Sequence, residues 1–243
     1  MNKVLIVGGT GFLGFHFAKY CLKKKFKVFC LSRKKPKKKK FLKNVKYLYL
    51  DISKKNQVKR KLKYYSNIDY IINFGGEVEH KRLKKTFQSH FNGLKNLTNF
   101  YFQKSIKKFI QIGSGLEYGK ARSPQKETLL INPNSNYALA KGKATRHLLQ
   151  TCKKNFPGIV VRPYQVYGPY QDLNRLIPIV IDNCLKDKKF PCSSGKQLRD
   201  FLYIDDFVEI VFKLMVNKGN NGQVFNIGYG KAFSVKKLIN LIK

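Results

Sequence analysis

The stretch formed by residues 3–14 constrains the fold more than any other part of the chain. It reads Lys-Val-Leu-Ile-Val-Gly-Gly-Thr-Gly-Phe-Leu-Gly, and four apolar residues bounded by glycines predict a short strand buried on both faces. Apolar residues then recur at helical spacing between Phe15 and Leu22. The predicted order is therefore strand, glycine-rich turn and helix.

The glycine-rich turn predicts a binding site for the diphosphate of a nucleotide cofactor. Without Cβ atoms the backbone approaches a pyrophosphate closely, and the following helix directs its free N–H groups at the anion. Two registers stay open, one using Gly9, Gly11 and Gly14 and the other using Gly8, Gly11 and Gly14. An ordinary turn is the structural alternative, but the setting between a buried strand and an amphipathic helix favours the nucleotide site.

Short apolar runs and amphipathic stretches alternate along residues 1–162. The predicted strands cover residues 27–31, 45–50, 70–74, 109–112 and 159–161, and the predicted helices cover residues 58–65, 83–103 and 136–153. This alternation predicts an α/β fold, a Rossmann-type doubly wound parallel sheet with helices on both faces. We assign residues 1–162 to a dinucleotide-binding domain.

The pattern loosens in residues 163–243, where four prolines fall within 29 residues. We expect a smaller, irregular substrate-binding region with helices at 177–186, 204–216 and 235–242. A late strand at 223–227 is expected to return to the main sheet. Such a region would lie over the carboxyl ends of the strands, where open α/β sheets bind ligands.

The charge of the chain invites a nucleic-acid or membrane-surface interpretation. Fifty Lys and Arg against thirteen Asp and Glu give a formal net charge of +37. However, the lysines are scattered, and the abundance of Lys, Asn, Ile, Phe and Tyr without Trp is what AT-rich codons encode. Nucleic acid is therefore not the expected partner, and the absence of a long apolar run predicts no membrane insertion.

The cysteines and histidines indicate neither a disulfide framework nor a metal site. The five cysteines are odd in number and form no C-x-x-C pair, which fits a reducing cytoplasm. His16, His80, His90 and His147 have no partner at metal-ligand spacing. We therefore predict a cytoplasmic protein without a bound metal.

A tyrosine, a lysine and a serine form the candidate catalytic group. Tyr137 and Lys141 are four residues apart in a predicted helix, which places both side chains on one face. An ammonium near a phenol lowers the phenol's pKa, so Tyr137 would donate or accept a proton. Ser114 ends the fifth predicted strand at the sheet edge where the glycine turn opens, so its hydroxyl can bind the same substrate oxygen.

Five motifs in order carry a resemblance to a known family. They are Gly-Gly-Thr-Gly-Phe-Leu-Gly at 8–14, Gly-Ser-Gly-Leu-Glu-Tyr-Gly at 113–119, Tyr-x-x-x-Lys at 137–141, Arg-Pro-Tyr-Gln-Val-Tyr-Gly-Pro-Tyr at 162–170 and Arg-Asp-Phe-Leu-Tyr-Ile-Asp-Asp at 199–206. The chain resembles the extended short-chain dehydrogenase/reductases, the NAD-dependent epimerase/dehydratase family that acts on nucleotide sugars. The resemblance extends from residue 1 to about residue 240.

The resemblance implies a role for each matching residue. Tyr137 would be the catalytic acid/base, Lys141 would bind the nicotinamide ribose, and Ser114 would hold the sugar oxygen. The remaining cofactor positions implied are Gly8, Gly11, Gly14, the backbone N–H groups of Phe12 and Leu13, Asp51 and Ile52 beside the adenine, Phe74, Gly75, Gly76, and Asn92 in support of the lysine. Gln165 and Arg199 would bind the substrate nucleotide. The structural alternatives are a turn or cap for Asp51, an ordinary polar position for Asn92 and a solvated cation for Arg199.

Two departures from the family pattern shape the prediction. The second strand ends in Ser32-Arg33, where an acidic residue would accept hydrogen bonds from an adenosine ribose, so we expect NADP(H) to be preferred, with NAD(H) as the alternative. Gly115-Leu116 follow Ser114 where the sugar 4,6-dehydratases carry an Asp-Glu pair. Glu117, one position later, does not restore that pair, so dehydration by that route lacks its acid and base.

The expected activity is therefore reduction of a 4-keto nucleotide sugar with hydride from NADPH and a proton from Tyr137. Epimerisation of a nucleotide sugar with retained NAD is the alternative. The alternative of another class is an RNA-binding protein, or a non-catalytic cofactor-binding protein, on the same fold. By analogy with the family we expect a homodimer formed through the helices that contain Asn92 and Tyr137, and a substrate region shorter than in most members.

Overall fold

The computed structural model describes residues 1–77 and 83–243. Of the residues discussed above, His80 lies outside this described part. The strands, in chain order, are β1 (Lys3–Val7), β2 (Lys27–Ser32), β3 (Val45–Tyr49), β4 (Tyr70–Asn73), β5 (Lys108–Ile112), β6 (Gly158–Pro163), β7 (Gln165–Tyr167), β8 (Leu198–Tyr203), β9 (Val224–Ile227) and β10 (Ala232–Ser234).

The helices pack around these strands and include one irregular segment. In chain order they are α1 (Phe12–Lys23), α2 (Lys55–Leu62), α3 (Leu83–Phe87), α4 (Gly93–Tyr101), α5 (Asn136–Cys152), α6 (Leu176–Leu185), α7 (Ile204–Val216) and α8 (Val235–Ile242). A π-helical turn at Gln88–Asn92 joins α3 to α4. The helix predicted at 83–103 therefore exists, but it is interrupted in its middle.

The main sheet is parallel throughout, as predicted. In the described part of the chain its strand order is β3-β2-β1-β4-β5-β6-β9, and every neighbouring pair is parallel. The late strand predicted at 223–227 is β9, which pairs with β6. The order 3-2-1-4-5-6 is the Rossmann order, so the predicted fold class is confirmed.

Helices cover both faces of this sheet because the side chains of each strand alternate between the faces. On β1, Val4 and Ile6 pack in one cluster with α1 and α7, whereas Leu5 and Val7 pack in a second cluster with α4 and α5. All four side chains are fully buried or nearly so. The strand that precedes the glycine turn is thereby fixed between two apolar layers.

A second, three-stranded sheet was not predicted. Its order is β10-β8-β7, with β8 antiparallel to β10 and parallel to β7. The predicted irregular segments around residues 165 and 200 are in fact these strands, and short strands such as β7 and β10 carry too few residues to show a period. A small apolar cluster of Val180, Val235 and Ile239 joins α6 to α8. The domain division at residue 162 stays a prediction.

Helix length bears on the expectation about membranes. Within the described residues, no helix combines the length and the apolar character needed to cross a bilayer.

Candidate active site

The glycine turn between β1 and α1 requires glycine at two positions, at one for its conformation and at the other for space. Gly8 has φ +77, and a Cβ there would lie 3.0 Å from the backbone nitrogen of Gly75. A Cβ at Gly14 would lie 2.4 Å from the Gly8 carbonyl oxygen, which no rotation of a side chain can relieve. The turn is closed by Gly11, whose N–H donates to the same oxygen over 2.9 Å.

The structure decides between the two glycine registers. Gly8, Gly11 and Gly14 line a cleft at the carboxyl edge of the sheet. The Cα of Gly9 instead faces β2, where a Cβ would lie 2.4 Å from the Sγ of Cys30. The cleft therefore uses the register Gly8-Gly11-Gly14, and Gly9 provides space for packing.

The start of α1 suits a diphosphate. Gly11 precedes the helix with extended backbone and supplies no side-chain cap, and the first turn contains no acidic residue. The first N–H groups of a helix have no partner within the helix, so those of Phe12 and Leu13 are available to an anion. A nicotinamide dinucleotide therefore fits this cradle, which any Cβ at Gly14 would close.

The cleft is continuous from the glycine turn to the candidate catalytic group, with a volume of ≈ 1940 Å³. Every predicted site residue except Asn92 contributes to its lining. These lining residues are Gly8, Gly11, Phe12, Leu13, Gly14, Ser32, Arg33, Asp51, Ile52, Phe74, Gly75, Gly76, Ser114, Tyr137, Lys141, Gln165 and Arg199.

The structure brings Ser114, Tyr137 and Lys141 together. Ser135 caps α5 by accepting from the N–H of Ala138, which places Tyr137 in the first turn and Lys141 one turn later. The hydroxyls of Ser114 and Tyr137 share a hydrogen bond. The Nζ of Lys141 donates to the carbonyl oxygen of Ile112 over 2.7 Å and lies 5.7 Å from the centre of the Tyr137 ring.

Burial governs the proton affinities of this group. Burial raises the pKa of Tyr137 to about 12, with a contribution from Glu117 in the same direction, while Ser114 and Arg175 act to lower it. Burial lowers the pKa of Lys141 to about 8, and the charge of Glu117 opposes this change. We expected Lys141 to lower the pKa of the phenol, but burial dominates and the groups that act to lower this pKa are Ser114 and Arg175.

A histidine that sequence reasoning treated as ordinary lies against Tyr137. The ring of His90 is buried and meets the Tyr137 ring edge to face, with centres 5.2 Å apart and planes at 83°. Its Nε2 lies 3.2 Å from the carbonyl oxygen of Glu77. Gly76 makes room for it, since a Cβ there would lie 1.8 Å from Cε1 of His90.

Asn92 does not contribute to the lining of the cleft. It ends the π-helical turn that contains His90, is half-buried, and lies outside the lining of the cleft. The π-helical turn changes which residues of this helix face the cleft, because it holds more residues per turn than an α-helix. From this turn the ring of His90 contacts Tyr137, and no apolar period in the sequence signals the change.

The end of the cleft predicted to bind the adenosine is basic, and Arg33 there is held in an ion pair. The Oγ of Ser32 donates to the carbonyl oxygen of Lys34 over 2.7 Å. Arg33 forms an ion pair with Glu77, with 3.3 Å between Nη2 and Oε2. Five further cations from the following loop line the same end: Lys34, Lys35, Lys37, Lys39 and Lys40.

Two further predicted cofactor positions have structural partners. The carboxylate of Asp51 accepts from the N–H of Ser53 over 2.9 Å, which is the turn that was the structural alternative for this residue. Ile52 is buried beneath the cleft, where its Cδ1 lies against Gly75 and Gly93. Both residues nevertheless border the cleft.

The small sheet forms the opposite wall. Gln165 on β7 and Arg199 on β8 are exposed in the cleft, and the Nη1 of Arg199 donates to the carbonyl oxygen of Leu198 over 2.7 Å. The neighbouring carboxylate of Asp200 accepts from the N–H groups of Tyr229 and Gly230 over 2.7 and 2.8 Å. Asp200 thus anchors the loop after β9 to the strand that carries Arg199.

The position after Ser114 has no room for a side chain. A Cβ at Gly115 would lie 2.8 Å from the ring of Tyr164, whose hydroxyl donates to Oε1 of Gln125 over 3.1 Å. Leu116, the next residue, is about half exposed (51%) and lines the cleft. Within the described residues, no group of three or more His, Cys, Asp or Glu is arranged to hold a metal ion.

The chain is similar to known proteins over almost its whole length. Residues 4–228 match the NAD dependent epimerase/dehydratase family. The chain is 29% identical over 298 aligned residues to the dTDP-D-glucose 4,6-dehydratase of Dictyostelium discoideum, an alignment that covers 99% of this chain and 62% of the relative. The chain therefore spans less than two thirds of that relative's length.

Two solved structures are similar over the whole chain. The dTDP-glucose 4,6-dehydratase of Bacillus anthracis in complex with NAD has a TM-score of 0.90 and 25% identity, covering 100% of this chain and 80% of that one. The UDP-glucuronic acid 4-epimerase of Bacillus cereus, in complex with UDP-glucuronic acid and NAD, has a TM-score of 0.87 and 26% identity, covering 99% and 82%.

Proposed function

The chain belongs to the NAD-dependent epimerase/dehydratase family, and from that premise we propose that it is a nucleotide-sugar oxidoreductase that reduces a 4-keto sugar at the expense of NADPH. The observation that carries this proposal is one continuous cleft. It joins the glycine turn before α1 to the hydrogen-bonded pair of Ser114 and Tyr137.

The proton affinity of Tyr137 suits the donor role in a reduction. A ketone that receives hydride develops negative charge on its oxygen, which must be protonated. Because its pKa is raised to about 12, the phenol stays protonated at neutral pH and has a proton to give. The hydroxyl of Ser114, bonded to that of Tyr137, supplies a second polar contact for the same oxygen.

The cofactor would lie with its diphosphate on the Gly8-Gly11-Gly14 turn and its ribose near Lys141. When bound, the nicotinamide supplies the hydride. The end of β2 favours a 2′-phosphate over a free ribose, because Arg33 offers a guanidinium where an acidic residue would be needed for the ribose hydroxyls. Arg33 would exchange its ion pair with Glu77 for the phosphate.

Dehydration by an acid pair after Ser114 is disfavoured. The ring of Tyr164 occupies the space into which a side chain at position 115 would project. Leu116 offers no titratable group. The similarity to dehydratases therefore supports the substrate class, whereas the residues at 115 and 116 favour a reaction without elimination of water.

Epimerisation with retained NAD is the second candidate. It is favoured by the ion pair between Arg33 and Glu77, which neutralises the guanidinium that would attract a 2′-phosphate. The two candidates differ in stoichiometry, because a reductase consumes one NADPH per turnover and an epimerase returns its cofactor unchanged.

A panel of UDP-, dTDP-, GDP- and CDP-linked sugars and 4-keto sugars, assayed with NADPH and with NADH, tests the proposal. We expect NADPH oxidation with a 4-keto sugar. Tyr137→Phe should lower turnover by roughly 10²- to 10⁴-fold while leaving NADPH binding intact. Tyr64→Phe, at an exposed surface position, is the matched control. Retention of turnover by Tyr137→Phe would refute the role of the phenol.

A further inference from the structure

A buried ion pair lies directly behind the catalytic serine. Glu117 is fully buried and Arg162 is 3% exposed, and the Nε of Arg162 donates to Oε2 of Glu117 over 3.0 Å. Two charges removed from water carry a large desolvation cost, so hydrogen bonds must satisfy the remaining polar atoms. The second carboxylate oxygen of Glu117, Oε1, accepts a hydrogen bond from the backbone N–H of Ser114.

Glu117 holds the backbone of Ser114, and the hydroxyl of Ser114 caps the same short turn. Oε1 of Glu117 accepts from the N–H of Ser114 over 2.9 Å, while Oγ of Ser114 accepts from the N–H of Leu116 over 3.2 Å. The absence of a side chain at Gly113 makes this possible, since a Cβ there would lie 2.5 Å from Oε1 of Glu117. Both the backbone and the hydroxyl of Ser114 are thus restrained.

The pair is tied further into the main sheet. The Nη1 of Arg162, on β6, donates to the hydroxyl of Tyr118 over 2.8 Å, and that hydroxyl donates to Oδ1 of Asn226, on β9, over 2.8 Å. The amide of Asn226 in turn donates to the carbonyl oxygen of Gln125 over 2.8 Å. The turn that carries Ser114 is therefore fastened to two strands, and Glu117, Tyr118 and Arg162 lie behind the cleft and not in its lining.

The carboxylate of Glu117 and the ammonium of Lys141 are bonded to the same short backbone segment, at the N–H of Ser114 and the carbonyl oxygen of Ile112. The carboxylate therefore also acts on the other two members of the catalytic group. Its negative charge raises the pKa of Tyr137 and opposes the lowering of the pKa of Lys141. Tyr137 is also faced by Ser114, Arg175, the ring of His90 and Lys141, and Lys141 also meets the carbonyl oxygen of Ile112. Of these neighbours, Glu117 supplies a negative charge to both groups.

We propose that Glu117 is a positioning residue, which aims the hydroxyl of Ser114 at the substrate oxygen and provides the counter-charge for the buried ammonium of Lys141. The proposal rests on the proposed function for the identity of the reaction, but its electrostatic part does not. Glu117→Gln keeps the shape of the side chain, removes the charge and leaves Arg162 without its anion.

The direct test is the titration of Lys141 in the whole protein, followed by NMR of ¹³Cε-labelled lysine and assigned by the signal lost in Lys141→Met. In the parent protein Lys141 should titrate near its pKa of about 8. In Glu117→Gln this pKa should fall to a lower value. Glu209→Gln, which removes a carboxylate exposed on α7, should leave it unchanged. An unchanged pKa of Lys141 in Glu117→Gln overturns the counter-charge role.

Kinetics test the positioning role. Glu117→Gln should lower kcat on the order of 10²-fold through displacement of Ser114, with little change in KM for NADPH. The loss of kcat/KM at alkaline pH should begin at lower pH than in the parent, because Lys141 loses its proton earlier. A purely structural role would lower activity equally at every pH, and that result counts against the proposal.

A second variant guards against a folding defect. In Glu117→Gln the buried guanidinium of Arg162 has no anion, which should lower the thermal stability of the protein. The double variant Glu117→Gln/Arg162→Met removes both charges and should recover that stability. The pKa of Lys141 should remain low in this double variant, since the carboxylate is still missing. If the parent protein reduces none of the 4-keto sugars, the proposed function fails, and the Lys141 titration still decides the role of Glu117.

Discussion

The cofactor preference is expected to depend on Arg33. In the structure this side chain is 56% exposed and pairs with Glu77, which is 19% exposed. An exposed ion pair of this kind contributes about 0.5 kcal/mol, so giving it up costs little. A hydrogen bond from a guanidinium to a phosphate contributes about 1.5–2 kcal/mol, the lower part of the range for charged partners, because the site is open to water.

The difference leaves about 1–1.5 kcal/mol in favour of NADPH, which corresponds to a roughly 5- to 12-fold preference over NADH. Arg33→Ala should remove this preference by weakening NADPH and not NADH. Glu77→Gln should strengthen NADPH binding by about twofold, because the guanidinium no longer has a competing anion. The lysines that line the same end of the cleft add a less specific attraction.

Fluorescence titration of both reduced cofactors, at low and at physiological salt, measures these affinities. The contribution of the scattered lysines should fall with salt, whereas the preference due to Arg33 should persist in part. Arg60→Ala, which removes a cation from α2 away from the cleft, controls for the change in net charge. Equal affinity of the parent protein for NADPH and NADH, or an equal loss of both in Arg33→Ala, would refute the reasoning.

Three other substitutions give distinct outcomes. Gly14→Ala places a Cβ 2.4 Å from the Gly8 carbonyl oxygen, so it should cost about 1–3 kcal/mol in a urea unfolding experiment and abolish cofactor binding by calorimetry. The pKa of Lys141 is lowered to about 8 in the folded protein, so above that pH the unfolded chain binds more protons than the folded one and the free energy of unfolding rises with pH. Removing this buried charge with Lys141→Met should therefore raise Tm at about pH 7 by more than at about pH 10. Gly115→Ala should cost about 1–3 kcal/mol because its Cβ meets the Tyr164 ring, and the same change in a Tyr164→Ala background should cost less.

The nucleotide-binding half of the fold was predictable because its signals are local. β1, the glycine turn and α1 follow directly from an apolar run, three glycines and a helical period within residues 3–22. The helical spacing of Tyr137 and Lys141 likewise determined that both would share one face of α5. The carboxyl ends of parallel strands lie at one edge of the sheet, which explains why Ser114, after β5, lies beside Tyr137 and Lys141.

The parts that escaped prediction depend on distant partners. β7 and β10 are three residues each and exist because they pair with β8, so no period within them reveals a strand. His90 contacts Tyr137 because it lies in a π-helical turn, and the residue types of this helix do not indicate such a turn. The partner of Glu117 is Arg162, 45 residues further along the chain, and only the pairing of β5 with β6 brings the two together.

The acidic residue of this motif lies one position later than the acid pair expected in the dehydratases, and this shift changes where its side chain points. In the short helical turn after Ser114, position 116 faces the cleft and position 117 faces the core, as Leu116 at 51% exposed and Glu117 at 0% demonstrate. An acid at position 116 would stand in the cleft with access to substrate. The acid at position 117 instead bonds the N–H of Ser114 and the guanidinium of Arg162. This carboxylate is thereby kept from contact with substrate, and its charge acts on Tyr137 and Lys141 through the wall of the cleft.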